Sequence, residues 1–536
     1  MELFTPLLPI AGFLALLLLL KRWKQSSHQN PENKLKYAPE SAGGWPVIGH
    51  LLQLTSHETL ARSLGALADK YGPVFRIRIG MSPCLVVSNW EAVKECFTSK
   101  DKVFASRPNS SAGIYLGYNY AGFGFAAYGP YWRELRKIVL VEVLSSRRLE
   151  SLRHIRISEL ENSIRELFWL GNTGIDRRPA AKVVMSEWFE QLTLNIIVRT
   201  ITGKRYNGED EIGGGKYFRK VVKEFMHVSG QFVLSDVIPV SFLKWLEYFL
   251  GHIKTMKRIA KELDTITQIW IDDHVERRRA GGKTDDDDEE QQQDFIDVML
   301  SAIKDDFVDE FGHSRETVIK ATVQNIILAG SDTTSTHLTW VLSLLLNNPH
   351  DMKQAQEEID HIVGKERWAE ETDIKNLVYL QAIVKEALRL YPPGPISVPH
   401  LAREDTEVSG YHVPKGTRLF VNLWKLHRDP RIWSDPDTFL PERFMGSHAE
   451  VDFSGQNHFE FIPFGSGRRA CPGLTFAMQV THLTLARLLQ GFSFATVSEL
   501  PVDMAEGQGI TLPKLNPLEV LIMPRLSHSP LSPKLE

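Results

Sequence analysis

From residue 3 to residue 20 the chain carries no charge, and only Thr5, Pro6, Pro9 and Gly12 interrupt a run of Leu, Phe, Ile and Ala. Wound as a helix, such a run reaches about 27 Å, close to the roughly 30 Å of a bilayer's hydrocarbon core. Lys21, Arg22, Trp23 and Lys24 follow at once. A basic flank with an interfacial Trp predicts a single-pass anchor over 1–24, with the rest of the chain on the cytoplasmic side. A cleaved signal peptide is the alternative. It wants a basic residue before the apolar run and a small-residue cleavage site after it, whereas Glu2 precedes this run and Lys-Arg-Trp-Lys closes it.

Beyond the anchor, apolar residues recur at helical spacing over 150–170, 186–203, 252–279, 314–347 and 375–391. Short β-branched runs predict strands at 74–80, 83–88, 417–422 and 518–523. The fold class expected is mainly α with a small β component. Because strand pieces come from both ends of the chain, one interwoven domain is expected over 51–536, behind a polar, turn-rich linker or hinge at 25–50. The stretch RRRAGGKTDDDDEEQQQD, residues 277–294, reads as a solvated surface loop, with an acidic interaction patch as the alternative.

Composition narrows the chemistry. A net charge of −4 gives no polycationic footprint, so nucleic acid is not an expected partner. Three cysteines, Cys84, Cys96 and Cys471, are too few for a disulfide framework and suit a reducing compartment. Cys471 stands in FIPFGSGRRACPG, residues 461–473. Zinc would want clustered Cys or His pairs, which are missing around it, and a nucleophilic thiol would want a base, for which His458 and His482 are nominal candidates. A buried thiol acting as a small hydrophobe is the plain alternative. The remaining reading is a single thiolate on a haem iron, which needs one cysteine held as an anion. Gly465, Gly467 and Gly473 let the backbone bend close to the sulfur, Phe464 can screen it, and Arg468 and Arg469 bring positive charge.

The stretch PFGSGRRACPG resembles the signature Phe-x-x-Gly-x-Arg-x-Cys-x-Gly of the haem-thiolate monooxygenases, the cytochrome P-450 superfamily. The match falls at Phe464, Gly467, Arg469, Cys471 and Gly473. Three further motifs follow the family's order. AGSDTT, from Ala329 to Thr334, gathers poor helix formers within an apolar stretch, which predicts a groove in a long buried helix rather than a surface turn. The resemblance implies that this helix crosses the haem and that Asp332 and Thr333 supply protons to dioxygen. In EALR, Glu386 and Arg389 are spaced i, i+3. With Arg443 of PERF, the resemblance makes them a buried structural network. WRELRK places Trp132 and Arg136 one helical turn apart. The resemblance assigns them, with His400 and Arg469, to the haem propionates; for His400 a plain surface histidine is the alternative. GFGFAA, Gly122 to Ala127, satisfies a dinucleotide-binding pattern, but YGPYW follows instead of a helix start.

The resemblance thus implies a cytochrome P-450 fold, a helical body with a small β subdomain behind a single transmembrane helix. It implies haem b with Cys471 as axial ligand, and electrons from NADPH through a separate NADPH–cytochrome P-450 reductase. It also implies membrane lipid as a partner and the endoplasmic reticulum as location. The family's proline-rich hinge is thinned here to Pro39 and Pro46. A reductase-independent haem-thiolate isomerase or dehydratase would not need Asp332 and Thr333, and a haem sensor would keep a second axial ligand. An apolar or amine-containing small substrate is expected to meet Tyr115, Tyr118, Phe123, Asn325, Leu328, Ala329, Ile396, Ser397, Val398 and Ile510. Aromatic faces such as Tyr115, Tyr118 and Phe123 are the candidates to receive a cation. DFIDVML, the segment ERWAEETDIKNLVYLQAIVKEALRLYPPGP and the tail EGQGITLPKLNPLEVLIMPRL resemble a plant group. That group includes nicotine N-demethylases, tropinone synthase, benzylisoquinoline hydroxylases, and flavone, furanocoumarin and terpenoid oxidases. Alkaloid oxidation is the first expectation; flavonoids, furanocoumarins and terpenoids are the alternatives.

Overall fold

The structure is a computed structural model that describes residues 35–54, 58–172, 181–205, 215–231, 233–238, 247–248, 251–280, 293–304, 311–498 and 500–526. The anchor expected over 1–24 and most of the acidic loop lie outside these residues. Among the described residues no helix is long and apolar enough to cross a membrane. The chain divides into two compact units, each assembled from three separated segments.

The first unit comprises Met1–Pro108, Phe232–Leu250 and Ile396–Lys425. Strands Val74–Ile79 and Ser82–Val87 pair antiparallel; Arg418–Val421 adds to the second in parallel, and His400–Leu401 closes the sheet. These are the first three strands expected from the sequence, joined across more than 300 residues of chain. The tight turn between the first two requires Gly80: its φ is +61°, and a Cβ there would lie 2.7 Å from the Val237 carbonyl oxygen. The sheet's apolar face, Phe75, Ile77, Cys84, Val86 and Phe420, packs on Leu64 and Ala68 of α1 (Leu60–Tyr71). A second helix, α2, covers Trp90–Phe97. The stretch expected as a linker is packed where it is described: Arg76 N–H donates to Pro39 (2.7 Å), Ser41 N–H to Arg76 (3.0 Å), and His50 is fully buried. Turn residues look alike in sequence whether the turn is solvated or packed, which is why composition read it as loose.

The second unit, Asn109–Gln231, Gly251–Pro395 and Leu426–Glu536, is helical. Its principal helices are α3 (Pro130–Ile138), α4 (Arg153–Asn172), α5 (Met185–Thr202), α6 (Gly215–Ser229), α7 (His252–Ala280), α8 (Phe295–Ala302), α9 (Arg315–Asn347), α10 (Pro349–Ile362), α11 (Val378–Leu390) and α12 (Leu474–Gly491). Strands Ala181–Val184, Glu519–Pro524 and Phe492–Thr496 form its sheet. The organising element is α9. Ser314 caps it by accepting from the Thr317 N–H, and Pro349 forbids its continuation. It is buried nearly all round and packs against α5, α6, α7, α8, α10, α11 and α12. A core that includes Val341, Ile383, Phe461 and Leu485 ties α9, α11 and α12 to the segment that carries the cysteine.

Candidate functional site

The cysteine loop is closed by its own backbone. The Cys471 N–H donates to the Phe464 carbonyl (2.8 Å) and Gly465 N–H to Ile462 (2.9 Å), while Gly465 and Gly467 sit at φ +70° and +66°. An L side chain at either glycine would strain this turn. Of the three cysteines, Cys84 and Cys96 are buried in the first unit, and their thiols are pushed up by desolvation, Cys84 to about 12. Cys471 differs in having an exposed surface, although the surrounding chain still desolvates its sulfur. Burial raises the Cys471 thiol, and the Gly473 N–H and the Arg136 charge pull it back towards thiolate.

Around the loop stand the residues that sequence placed with it. Arg136 of α3 donates to the Ala470 carbonyl. Arg469 donates to the carbonyls of Phe123 (3.1 Å) and Ala126 (2.6 Å), with its guanidinium 4.2 Å from the centre of the Trp132 ring. The Trp132 indole N–H also donates to Phe123, at 3.0 Å. Phe464 is half-buried and meets Phe453 edge-on. An accessible thiol with one cation beside it and a second stacked on the α3 indole fits an anionic macrocycle with an electron-rich axial ligand. His400 belongs to the first unit, where its Nδ1 lies 2.8 Å from the Phe104 carbonyl and its ring meets Phe97.

The AGSDTT segment forms no break. α9 is continuous for 33 residues, because Thr333 and Ser331 donate to helix carbonyls at Ala329 and Ile327 rather than opening the ladder. Its middle turns carry an accessible stripe: Asn325, Ala329 and Thr333 at successive i, i+4 positions, with Gly330 beside Ala329. Small side chains there leave room for a flat ligand, and Leu328 beside them is buried. Asp332 points elsewhere, into a polar cavity of about 300 Å³ shared with Ser335, Thr336 and Thr339. Its carboxylate accepts from the Thr511 hydroxyl at 2.8 Å, and desolvation pushes it up to about 6.

The expected pocket residues have varied placements. Asn325 accepts from the Gly124 N–H at 2.9 Å, fixing the glycine-rich segment to α9. Tyr115 and Tyr118 have partners the sequence did not indicate. Lys257 lies 5.2 Å over the Tyr115 ring, and the Tyr118 hydroxyl bonds Asp264 (2.8 Å) and Gln324 (2.7 Å). Phe123 is half-buried and Ile510 is 37% exposed. Ile396, Ser397 and Val398 lie in the first unit, with Ser397 paired to Val421.

Glu386, Arg389 and Arg443 meet as expected from sequence. Arg389 grips both Glu386 oxygens (2.7 and 2.8 Å), Arg443 adds a third bond at 3.1 Å, and Glu386 and Arg389 are fully buried. Sequence reading missed His427. Its carbonyl accepts from Arg389 (2.9 Å), and its Nε2 accepts from the N–H of Ile462, at the start of the cysteine loop (3.1 Å). Burial beside Arg389 and Arg428 holds the imidazole down near 3, so it is a neutral acceptor. Among the described residues, His274, Asp294 and Asp297 have metal-ligand proximity, but Arg277 and Arg278 already supply the cations there.

Comparison with known proteins agrees with this geometry. The family model described as Cytochrome P450 matches residues 39–519. Vinorine hydroxylase of Rauvolfia serpentina is 52% identical, covering 98% of each chain. A nicotine N-demethylase of Nicotiana tomentosiformis is 49% identical over 94% of this chain and 95% of its own. Flavonoid-6-hydroxylase of Mentha piperita is 46% identical over 97% of each. P450 enzymes hold a haem by a cysteine thiolate and draw NADPH-derived electrons through a reductase. This chain belongs to the cytochrome P450 family, as a monooxygenase of plant specialised metabolism.

Proposed function

We propose that the chain oxidises an alkaloid, by hydroxylation, N-demethylation or oxidative ring closure, at the endoplasmic reticulum membrane. In this reading the Cys471 thiolate would bind the haem iron, Trp132, Arg136 and Arg469 would hold the propionates, and Phe464 would screen the sulfur. When bound, the haem supplies reductive activation of dioxygen. The protein's part is to hold the thiolate against the Gly473 N–H and the Arg136 charge, and to pass protons from Asp332 to the Thr333 hydroxyl. Glu386, Arg389 and Arg443 are scaffold.

The observation that carries the alkaloid assignment is that vinorine hydroxylase and a nicotine N-demethylase match nearly the whole chain at about half identity. The flavonoid-6-hydroxylase relative favours a second reading, a flavonoid or furanocoumarin hydroxylase. The test is full-length protein in microsomes with an NADPH–cytochrome P450 reductase, offered alkaloids, flavones, furanocoumarins and terpenoids, with products read by mass spectrometry. NADPH-dependent gain of one oxygen atom, or loss of an N-methyl group, from an alkaloid supports the first reading. Turnover confined to flavones or furanocoumarins replaces it with the second. Conversion without NADPH points to isomerase chemistry.

A further inference from the structure

The cavity behind α9 has a feature that the acid–alcohol pair does not explain. Asp332 is half-buried against the C-terminal loop, and its carboxylate accepts from the hydroxyl of Thr511, 179 residues further along the chain. That hydroxyl is not placed by chance. Thr511 is itself buried, and the next residue is fixed at both ends: Leu512 N–H donates to Pro393 (2.9 Å), and the Leu512 carbonyl accepts from the Trp340 indole of α9 (2.7 Å). The loop folds back on itself through Gly507 N–H to Pro513 (2.8 Å) and Leu515 N–H to Ala505 (2.9 Å). Gly230 leaves no room beyond it, since a Cβ there would lie 2.5 Å from the Ile510 nitrogen. The loop is locked to α9 one residue away from the bond to Asp332.

The cavity this creates is polar. Ser335, Thr336 and Thr339 line it from α9, Glu187 and Glu190 from α5, Lys223 and His227 from α6, and Lys514 from the loop. Lys223 and Glu190 pair at 2.8 Å. Thr333, one position on from Asp332 and about 100° round the helix, belongs to the other, accessible stripe. The carboxylate and the hydroxyl thus serve two sides of one helix.

We infer that Thr511 is a positioning residue for proton delivery: its hydroxyl holds the Asp332 carboxylate towards the cavity, where it takes up protons from solvent before passing them to the Thr333 side. This rests on the reading of Asp332 as the proton donor. Each NADPH oxidised sends two electrons through the reductase, and dioxygen takes up two protons with them; for each proton it passes towards the dioxygen site, Asp332 regains one from solvent in the cavity. The Thr511 bond favours the charged carboxylate, whereas burial and Glu190 oppose it and Lys223 assists. Removing the hydroxyl therefore makes Asp332 a weaker acid without touching the thiolate.

The test uses full-length holoenzyme with its reductase and no added substrate, following NADPH consumption and peroxide release across a pH series. In the wild type, NADPH consumption falls as pH rises through the Asp332 ionisation. Thr511→Val is expected to move that fall upward by about one pH unit, and Thr511→Ser to restore it. The carbon monoxide difference band of the thiolate-bound haem reports that each variant is folded and loaded. If Asp332→Asn abolishes the pH-dependent fall but Thr511→Val leaves it in place, the role of Thr511 is overturned and that of Asp332 stands. If Asp332→Asn keeps the fall, the donor reading itself fails and the inference with it.

Discussion

Two carboxylates on neighbouring helices of one unit, Glu386 on α11 and Asp332 on α9, are both withdrawn from bulk water yet have opposite surroundings. Glu386 is fully buried and receives bonds from two guanidinium groups and the Leu440 N–H. Arg389 and Arg443 spend their other donors on the carbonyls of His427, Pro436, Ser434 and Thr438. Removing any member of that arrangement leaves a buried charge uncompensated. Asp332 has one hydroxyl and a polar cavity, and its carboxyl rises from 3.8 to about 6. A saturated charge builds scaffold, and an under-compensated one beside solvent can exchange protons near neutral pH. The pattern of compensation, rather than burial, separates the two roles.

The comparison breaks most visibly at Glu386. Glu386→Gln removes the negative charge between two buried guanidinium groups, which costs about 3–5 kcal/mol. Because His427 links the network to Ile462 at the head of the cysteine loop, the damage should reach the haem site. Thermal unfolding should fall sharply, and the carbon monoxide band of the thiolate-ligated haem should be lost as it is in Cys471→Ser. Cys84→Ala and Cys96→Ala, both in the first unit, should keep that band. A Glu386→Gln protein with unchanged band and melting temperature would show that the network is not scaffold.

Asp332→Asn should change stability with the opposite sign. A rise from 3.8 to about 6 means that the folded state holds the proton more tightly than the unfolded chain does. The cost of burying the ionised form, at most about 3 kcal/mol, is therefore present in full above about pH 6 and is relieved as pH falls towards 4. Asparagine keeps an acceptor for Thr511 and carries no charge. The variant should melt higher than the wild type near neutral pH, the gap should narrow near pH 5, and NADPH use and product formation should slow together. Melting below the wild type near neutral pH would place Asp332 with Glu386 among the paired scaffold carboxylates.

How far the sequence reveals these roles depends on how local each signal is. The period of apolar residues placed α4, α5, α7, α9 and α11 to within a few residues, because each repeats buried apolar positions over several turns. Glu386 and Arg389 are one turn apart, and Cys471 carries its glycines and arginine with it, so those constellations are legible in short windows. Thr511 and His427 are not: each bonds a group distant in sequence through a side chain common in any protein. The short helices α1, α2 and α3, of 12, 8 and 9 residues, are amphipathic but are not among the segments expected from the sequence. Tyr118, Asn119 and Tyr120 are three successive non-glycine residues with φ near +50° to +68°, and Tyr118 is held by Asp264 and Gln324, contacts that local propensity does not encode. The middle of α9 shows the converse. Its poor helix formers read as a groove in a long buried helix, and packing along the whole length keeps that helix continuous in spite of them.

Thr333→Ala should disturb stability least and so isolates the chemistry. Its hydroxyl donates to the Ala329 carbonyl, which also serves as a backbone acceptor within α9, and alanine is the better helix former. The two effects offset, and the melting temperature should stay within the range of a change of about 0.5 kcal/mol. What is lost is the one hydroxyl on the accessible stripe beside Ala329 and Gly330. On the proposed relay Asp332 would still exchange protons with its cavity and the thiolate is untouched, so NADPH consumption should continue. Without the hydroxyl to hold the proton-bearing water, protons arrive out of place, and hydrogen peroxide should rise as product per NADPH falls. Measuring NADPH, peroxide and product together in Thr333→Ala and Asp332→Asn sharpens the contrast between the two sides of the helix: uncoupling from one, slowing from the other. Unchanged product per NADPH in Thr333→Ala would take the threonine out of the relay and leave Asp332 and its cavity to deliver protons by another path.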